Sequence, residues 1–414
     1  MAARAIISQG LDLNLPERIG RLDELANNLW WSWNPQAREL FRSLDYPLWK
    51  DGHNPVRQLR YISREKLESA AGDPSFLSLY DSVLAAFDAD TKTENTWFNL
   101  NCPGVMKGPV AFFSMEFAIH RSLPIYAGGL GILSGDLCKE SSDLGVPLVG
   151  VGFMYPQGYF RQCVTDEGWQ EERYVQIDFN EAPINPVATE EGGASLAVVY
   201  LDDRPVHIRA WEIQVGRTMI YLLDTNLGEN AVQDRNLSAR LYIADRALRI
   251  QQEIVLGVGG VRVLRALGIE PAVWHANEGH TAFMMMERVR EEVRRGIPYG
   301  EAVKKVQHST VFTTHTPVPA GHDIFPADLV ERNLHSYWES IGVSRDTFLR
   351  LGQDTVGTDV FNMTTFALRM SQRRNAVSEL HGVVGRRMWH VLWPEVGENE
   401  VPITHVTNGV HVPT

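Results

Sequence analysis

Residues 272–314 spell a strand, two helices and a second strand, an order that leaves little freedom in how the chain can fold. Ala272–His275 reads as a short apolar strand, Thr281–Arg295 and Gly300–Gln307 as helices, and Thr310–Thr314 as the returning strand. Strands joined through a helical crossover lie parallel, in an open twisted sheet covered by helices. The fold class is therefore α/β. Ligands of such sheets bind beyond the carboxyl ends of the strands, where His275, Asn277 and His315 are expected.

A second stretch, Phe112–Gln162, carries the most distinctive chemistry. The apolar run Val110–Phe113 is followed by a carboxylate, Glu116. Gly128-Gly129-Leu130-Gly131 then opens a helix predicted to reach about Leu144, and Val146–Phe153 has the pattern of a buried strand. Glycines let a backbone approach a ligand closely, and a helix N-terminus offers unpaired N–H groups. The local chemistry is that of a cradle for an anion or polar oxygen; plain turn chemistry is the competing reading. No Gly-Lys-Ser/Thr follows, and the spacing is not that of a dinucleotide fingerprint.

The rest of the chain divides into simpler pieces. Residues 12–90 read as helical, with Asn34-Pro35, Asn54-Pro55 and Asp73-Pro74 each placing a capping side chain before a proline at the first helical position. Leu22, Leu25 and Leu29 share a helical face, and the Trp30, Trp31 and Trp33 cluster reads as core rather than as a sugar-stacking surface. Asp88–Lys107 is a predicted linker, Glu190–Gly193 a loop, and Ser195–Asp224 a β-meander with turns at Asp202-Asp203 and Gly216. Ser238–Leu267 reads as two helices or one kinked at its glycines. Pro317–Pro326 is a stiff loop, Phe361–Leu380 a helix bearing Asn375, and Val401–Val410 strand and turn. Arg373, Arg374, Arg386 and Arg387 are expected on solvated helix faces.

Composition excludes several classes. With 39 basic against 51 acidic residues the net charge is −12, which argues against nucleic acid and anionic membranes as partners. Cys102, Cys138 and Cys163 are an odd set without C-x-x-C, so neither a disulfide framework nor a zinc site is indicated. His275, Glu278 and His280 stand as H-x-x-E-x-H, not H-E-x-x-H, and no metal is expected. No signal segment or long apolar window is present, so the cytoplasm is the expected location.

The string of Ser-Met-Glu-Phe, Gly-Gly-Leu-Gly, an Asp-Leu-Gly helix end and Gln-Gly-Tyr-Phe-Arg-Gln resembles the α-glucan (glycogen, starch or maltodextrin) phosphorylases. The likeness resumes at Trp274–Phe283 (WHANEGHTAF), Phe312–Pro326 (FTTHTPVPAGHDIFP), Asn362–Trp389 and Val406–Val410. NLWWSWNPQA resembles the N-terminal extension of the short bacterial type. The resemblance implies a Rossmann-like N-terminal domain of a GT-B glycosyltransferase fold at 105–414, a helical N-terminal extension at 1–95, and the β-meander as an insertion.

It also implies transfer of the non-reducing-end glucosyl unit of an α-1,4-glucan or maltodextrin to orthophosphate, with a homodimer as the common assembly. His315 would contribute its backbone carbonyl toward the glucosyl unit; Asn277, Glu278 and His280 would line the catalytic cleft. Glu116 would lie near the acceptor sugar, Gly128, Gly129 and Leu130 would meet substrate and phosphate, and Asn375 would bind the sugar 6-hydroxyl. The family's cofactor is pyridoxal phosphate, bound through a lysine in a Ser-Gly-Met-Lys setting. Lys50, Lys66, Lys92, Lys107, Lys139, Lys304 and Lys305 all lack that setting, so the C-terminal cofactor domain is read as absent. The cofactor is not expected on this chain, nor phosphorolysis by it alone. Two other readings compete: a non-catalytic carbohydrate-binding or regulatory remnant, and a sugar-nucleotide-dependent glucan synthase. The synthase expects a lysine just before the glycine turn, where Ile125, Tyr126 and Ala127 stand.

Overall fold

The structure is a computed structural model that describes residues 14–189, 192–355 and 357–414, with only the backbone of Ala320. Residues 12 and 13 of the expected helical stretch, residues 1–11 before it, and Glu190 and Glu191 of the expected loop lie outside the described residues.

Among the described residues, the first part of the chain forms seven α-helices: α1 Leu22–Asn27, α2 Pro35–Leu44, α3 Tyr46–Lys50, α4 Pro55–Tyr61, α5 Arg64–Gly72, α6 Pro74–Lys92 and α7 Trp97–Asn101. Asn34, Asn54 and Asp73 cap α2, α4 and α6 as the sequence grammar predicts, each accepting a backbone N–H from the first turn. Leu22, Leu25, Leu29, Trp30, Trp31 and Trp33 are all buried, the tryptophans at no more than 5% exposure, so these rings pack and offer no stacking face. They join the apolar side chains of the sheet in a single core. The expected linker at Asp88–Lys107 is shorter than predicted. Its first residues stay helical to Lys92, where Arg21 grips Asp88 through two bonds of 2.9 and 2.7 Å, and α7 occupies its middle.

The next elements are β1 Val110–Phe113, α8 Gly129–Leu144, β2 Leu148–Phe153, the hairpin β3 Arg161–Val164 and β4 Gln170–Arg173, β5 Asn185–Pro186, β6 Ala197–Leu201, β7 Arg204–Val215 and β8 Thr218–Asp224. Helices α9 Val232–Arg235, α10 Arg246–Ile254 and α11 Gly260–Ala266 follow, the last two joined without a break by a wide turn at Val255–Gly259. Then come β9 Val273–Asn277, α12 Phe283–Arg294, α13 Tyr299–His308 and β10 Thr310–Thr314, as the β-α-β reading requires. The chain ends with β11 Ile324–Pro326, α14 Ala327–Ser340, α15 Arg345–Leu349, β12 Val360–Asn362, α16 Met363–Met370, β13 Arg373–Ala376, α17 Glu379–Trp389 and β14 Thr404–His405.

Ten strands make one sheet in the order β14-β13-β10-β9-β1-β2-β8-β7-β5, with β6 beside β7. All pairings from β14 across to β8 are parallel; β7 adds antiparallel pairs at the far side. The expected meander exists, and its last strand pairs in parallel with β2, so it extends the main sheet. The chain lays β2 on one side of β1 and later β9 on the other. That reversal opens a crevice at the carboxyl ends of β1 and β9, the place where open α/β sheets bind ligands.

Two further expectations change. Phe361–Leu380 is not one helix; α16 stops at Met370 and β13 pairs with β10, Thr313 opposite Asn375. The polar run Gln372–Asn375 shows no strand alternation, and pairing with a neighbour overrides local preference there. The arginines follow. Arg374 donates to the Leu368 carbonyl at 2.6 Å and lies over the Trp393 ring, whereas Arg387 stays exposed beside Glu398. His275 sits within β9 rather than at its end. Its Nε2 bonds the Thr313 hydroxyl at 2.8 Å, and Phe112 meets its ring edge-on.

Candidate functional site

A cavity of about 800 Å³ lies at this crevice, walled by Leu130 from the start of α8, Glu278 and His280 after β9, and His315 after β10. The glycine turn and the strand-end histidine therefore face one space.

His315 is held at two points. Its ring Nε2 donates to Asn277 Oδ1 at 2.7 Å, and its backbone N–H donates to Glu278 Oε2 at 2.7 Å. Asn277 is fixed in turn: its Nδ2 donates to Ser114 Oγ and Ser134 Oγ, both at 3.2 Å, and the two hydroxyls lie 2.9 Å apart. Ser134 is on α8 and also donates to the Leu130 carbonyl at 2.9 Å. One polar chain thus ties β1, α8, β9 and the segment after β10 together. Burial holds His315 down to about 4, so the ring is neutral with its proton on Nε2.

Glu278 acts as a clamp. Its Oε2 accepts from His315 N–H and from Thr316 Oγ1 at 3.0 Å, and its Oε1 accepts from Gly279 N–H at 3.0 Å. Burial raises its pKa, and those donors pull it back. Its φ of 79° lies in the left-handed region, a costly conformation for a residue with a side chain. The three bonds offset that cost locally.

Glu116 is buried and does not line the cavity. Its Oε2 accepts from the N–H groups of Ala127 at 2.6 Å and Gly128 at 3.0 Å, and Tyr242 donates to its Oε1 at 2.5 Å. It organises the glycine turn from behind. A Cβ at Gly131 would stand 2.8 Å from Glu116 Oε2 and 2.6 Å from Tyr126 Cβ, so glycine is required there. Gly128 and Gly129 are exposed beside the cavity wall that Leu130 forms. The Gly128 N–H is already taken, which leaves the following N–H groups of the first turn for a ligand.

Asn375 lies on β13, not on a helix, and outside the cavity lining. Its Oδ1 accepts from Thr313 Oγ1 at 3.0 Å, completing a His275–Thr313–Asn375 relay. His280 is buried on the cavity wall with its Nε2 unpartnered, and burial with the Arg249 charge lowers it to about 3.

Sequence reasoning missed Tyr242, Arg249, His322 and Asp323, which also wall the cavity. Arg249 donates to Asp323 at 2.9 Å and to Glu253 at 3.0 Å. Its signal was an Arg-x-x-x-Glu pair among the apolar positions of α10, on the side that had to be buried. No group of three or more His, Cys, Asp or Glu among the described residues is placed to hold a metal ion, and no helix among them is long and apolar enough to cross a membrane.

Comparison with known proteins covers almost all of this chain. A family described as a protein of unknown function (DUF3417) matches residues 15–123. The chain is 45% identical to the maltodextrin phosphorylase of Thermococcus litoralis, over 97% of this chain and 47% of that protein. It is 42% identical to a glycogen phosphorylase of Mycobacterium tuberculosis, over 97% and 48%, and 40% identical to the glycogen phosphorylase of Aquifex aeolicus, over 94% and 55%. The chain spans about half the length of the curated relatives it matches.

Proposed function

Since this chain belongs to the maltodextrin and glycogen phosphorylase family and corresponds to the N-terminal half of its members, we propose that it forms the glucan-facing wall of a phosphorylase. The whole enzyme would move the non-reducing-end glucosyl unit of an α-1,4-glucan to orthophosphate, giving glucose 1-phosphate. The observation that carries this reading is the double clamp on His315 at the cavity that Leu130 enters.

Gripped at ring and N–H, His315 has a fixed peptide plane. Its carbonyl can then face positive charge that develops on a glucosyl ring in an oxocarbenium-like transition state, without reorganising. Asn277 and Glu278 position it, and His280 offers a neutral imidazole to sugar hydroxyls. The N–H groups at the start of α8 receive an anionic oxygen, with Glu116 and Tyr242 setting the turn. Asn375 supports this wall through Thr313. We read 105–414 as the Rossmann-like half of a GT-B fold and 1–95 as its helical extension; the parallel sheet with its reversal beside β1 supports this. Three unpaired cysteines suit a reducing cytoplasm.

Pyridoxal phosphate is the family's cofactor, but the residues present do not fit a Schiff base here. None of the seven lysines lines the cavity.

Calorimetric titration of the 414-residue chain with maltoheptaose is expected to show binding that Leu130→Trp abolishes by filling the cavity. Absence of binding, or binding indifferent to that change, sinks the reading. Supplied with maltodextrin, orthophosphate and pyridoxal phosphate, the chain alone is expected to release no glucose 1-phosphate, because one wall cannot exclude water or align the phosphate.

A further inference from the structure

Lys139 lies midway along α8 and is 2% exposed, among the largest fully buried side chains of the molecule. A buried ammonium is costly unless an opposite charge meets it. It forms no ion pair among the described residues. Its Nζ donates to Thr414 Oγ1 at 3.1 Å and stands 5.9 Å from the Trp33 ring centroid, while Asp136 acts on it only through space. Neither contact replaces a counter-ion.

The lysine faces a second cavity, of about 320 Å³, between the helical prefix, the segment joining β1 to α8, and Thr414. Its other walls are rich in donors that lack acceptors. Among the described residues Arg38 has no ion pair, and Arg121 reaches only the Gly52 carbonyl, at 3.2 Å. Trp31 Nε1 and Ser32 Oγ are buried without a hydrogen-bond partner among the described residues, Trp31 at 2% exposure. Burial and the neighbouring Lys139 charge keep His120 low, at about 4, as a locally positive field should.

We propose that this cavity binds a small oxyanion, orthophosphate or the phosphate of a phosphomonoester, between Lys139 and Arg38, with Trp31 and Ser32 as neutral donors. Its volume is at the lower end for ligand pockets, which suits an ion or small ester and excludes a glucan chain. The ligand would bind prefix and sheet at once, so it would stabilise their junction.

The test is thermal unfolding and calorimetry of the 414-residue chain in sodium phosphate, with sodium chloride matched for ionic strength. Phosphate is expected to raise Tm saturably beyond chloride. Lys139→Met and Arg38→Gln should each weaken the apparent affinity by about tenfold or more; Arg38 is partly exposed on α2, so its variant keeps the fold even where the lysine variant does not. Arg246→Gln, at the rim of the large cavity, should leave the effect intact. A glucose 1-phosphate arm separates the two sources: tighter binding than orthophosphate assigns an ester, equal or weaker binding the free ion. No saturable shift beyond chloride overturns the proposal. So does a shift that survives in Arg38→Gln and vanishes in Arg246→Gln, which would belong to the large cavity.

Discussion

The helix caps of the prefix and the strand-end crevice both depend on polar side chains that accept backbone N–H groups, but they find partners at different range. In the prefix the side chains of Asn34, Asp45 and Asp73 satisfy N–H groups two or three residues on. In the crevice Glu116 reaches eleven and twelve residues ahead, Glu278 thirty-seven, and Asn277 back to Ser114 across 163. Local partners survive a small displacement of the helix that carries them. Distant partners exist only when the whole sheet is assembled, so each crevice bond reports on global structure.

The contrast can be broken by measurement. Glu278→Ala leaves the N–H groups of His315 and Gly279 and the Thr316 hydroxyl without their acceptor, and should cost about 3 kcal/mol in urea unfolding. A cost below about 1 kcal/mol would place the crevice with the prefix. Gly131→Ala should cost about 2 kcal/mol by forcing Tyr126 and Glu116 apart, whereas Gly129→Ala, with open space around it, should stay within about 0.5 kcal/mol.

Acid should act on the crevice through His315. His315 titrates near 4 in the folded chain against about 6.5 unfolded. Between those values the unfolded chain binds the extra proton, so stability is full above pH 6.5 and falls as pH drops toward 4. His315→Asn should flatten that slope by about 1–2 kcal/mol in urea midpoints taken across the window. An unchanged slope would remove His315 from the acid response. In the prefix, Asn34→Ala should cost about 1 kcal/mol at any pH in this range.

The same contrast explains what could be read before the fold was known. Caps, the glycine turn and the β-α-β order are signals carried by neighbours in sequence, and they placed α2, α4, α6, α8, β9 and β10 within a few residues. Strand order also placed His315 at the carboxyl ends of the strands, whereas Leu130, which walls the same cavity, was expected there only from the family resemblance. Glu116 was legible as a carboxylate near the glycine turn, but not its partners, since Tyr242 lies 126 residues away. Asn375 was assigned to a helix because a polar strand beside β10 has no periodicity to betray it. Arg249 and Asp323 escaped for a related reason: a charge pair inside a core leaves only one half of itself in any sequence window.

Asn28 shows what such long reach demands in time. Its amide accepts from the Gly216 N–H at 2.8 Å and donates to the Gly216 carbonyl at 3.0 Å, imitating a strand residue 188 positions away. On a ribosome adding roughly 5–20 residues each second, the partner arrives on the order of ten to forty seconds after the amide. Through that interval the neighbouring tryptophans can lean only on partners of the prefix itself, such as Phe41, Trp49 and Phe87, and the growing chain carries part of its aromatic surface uncovered.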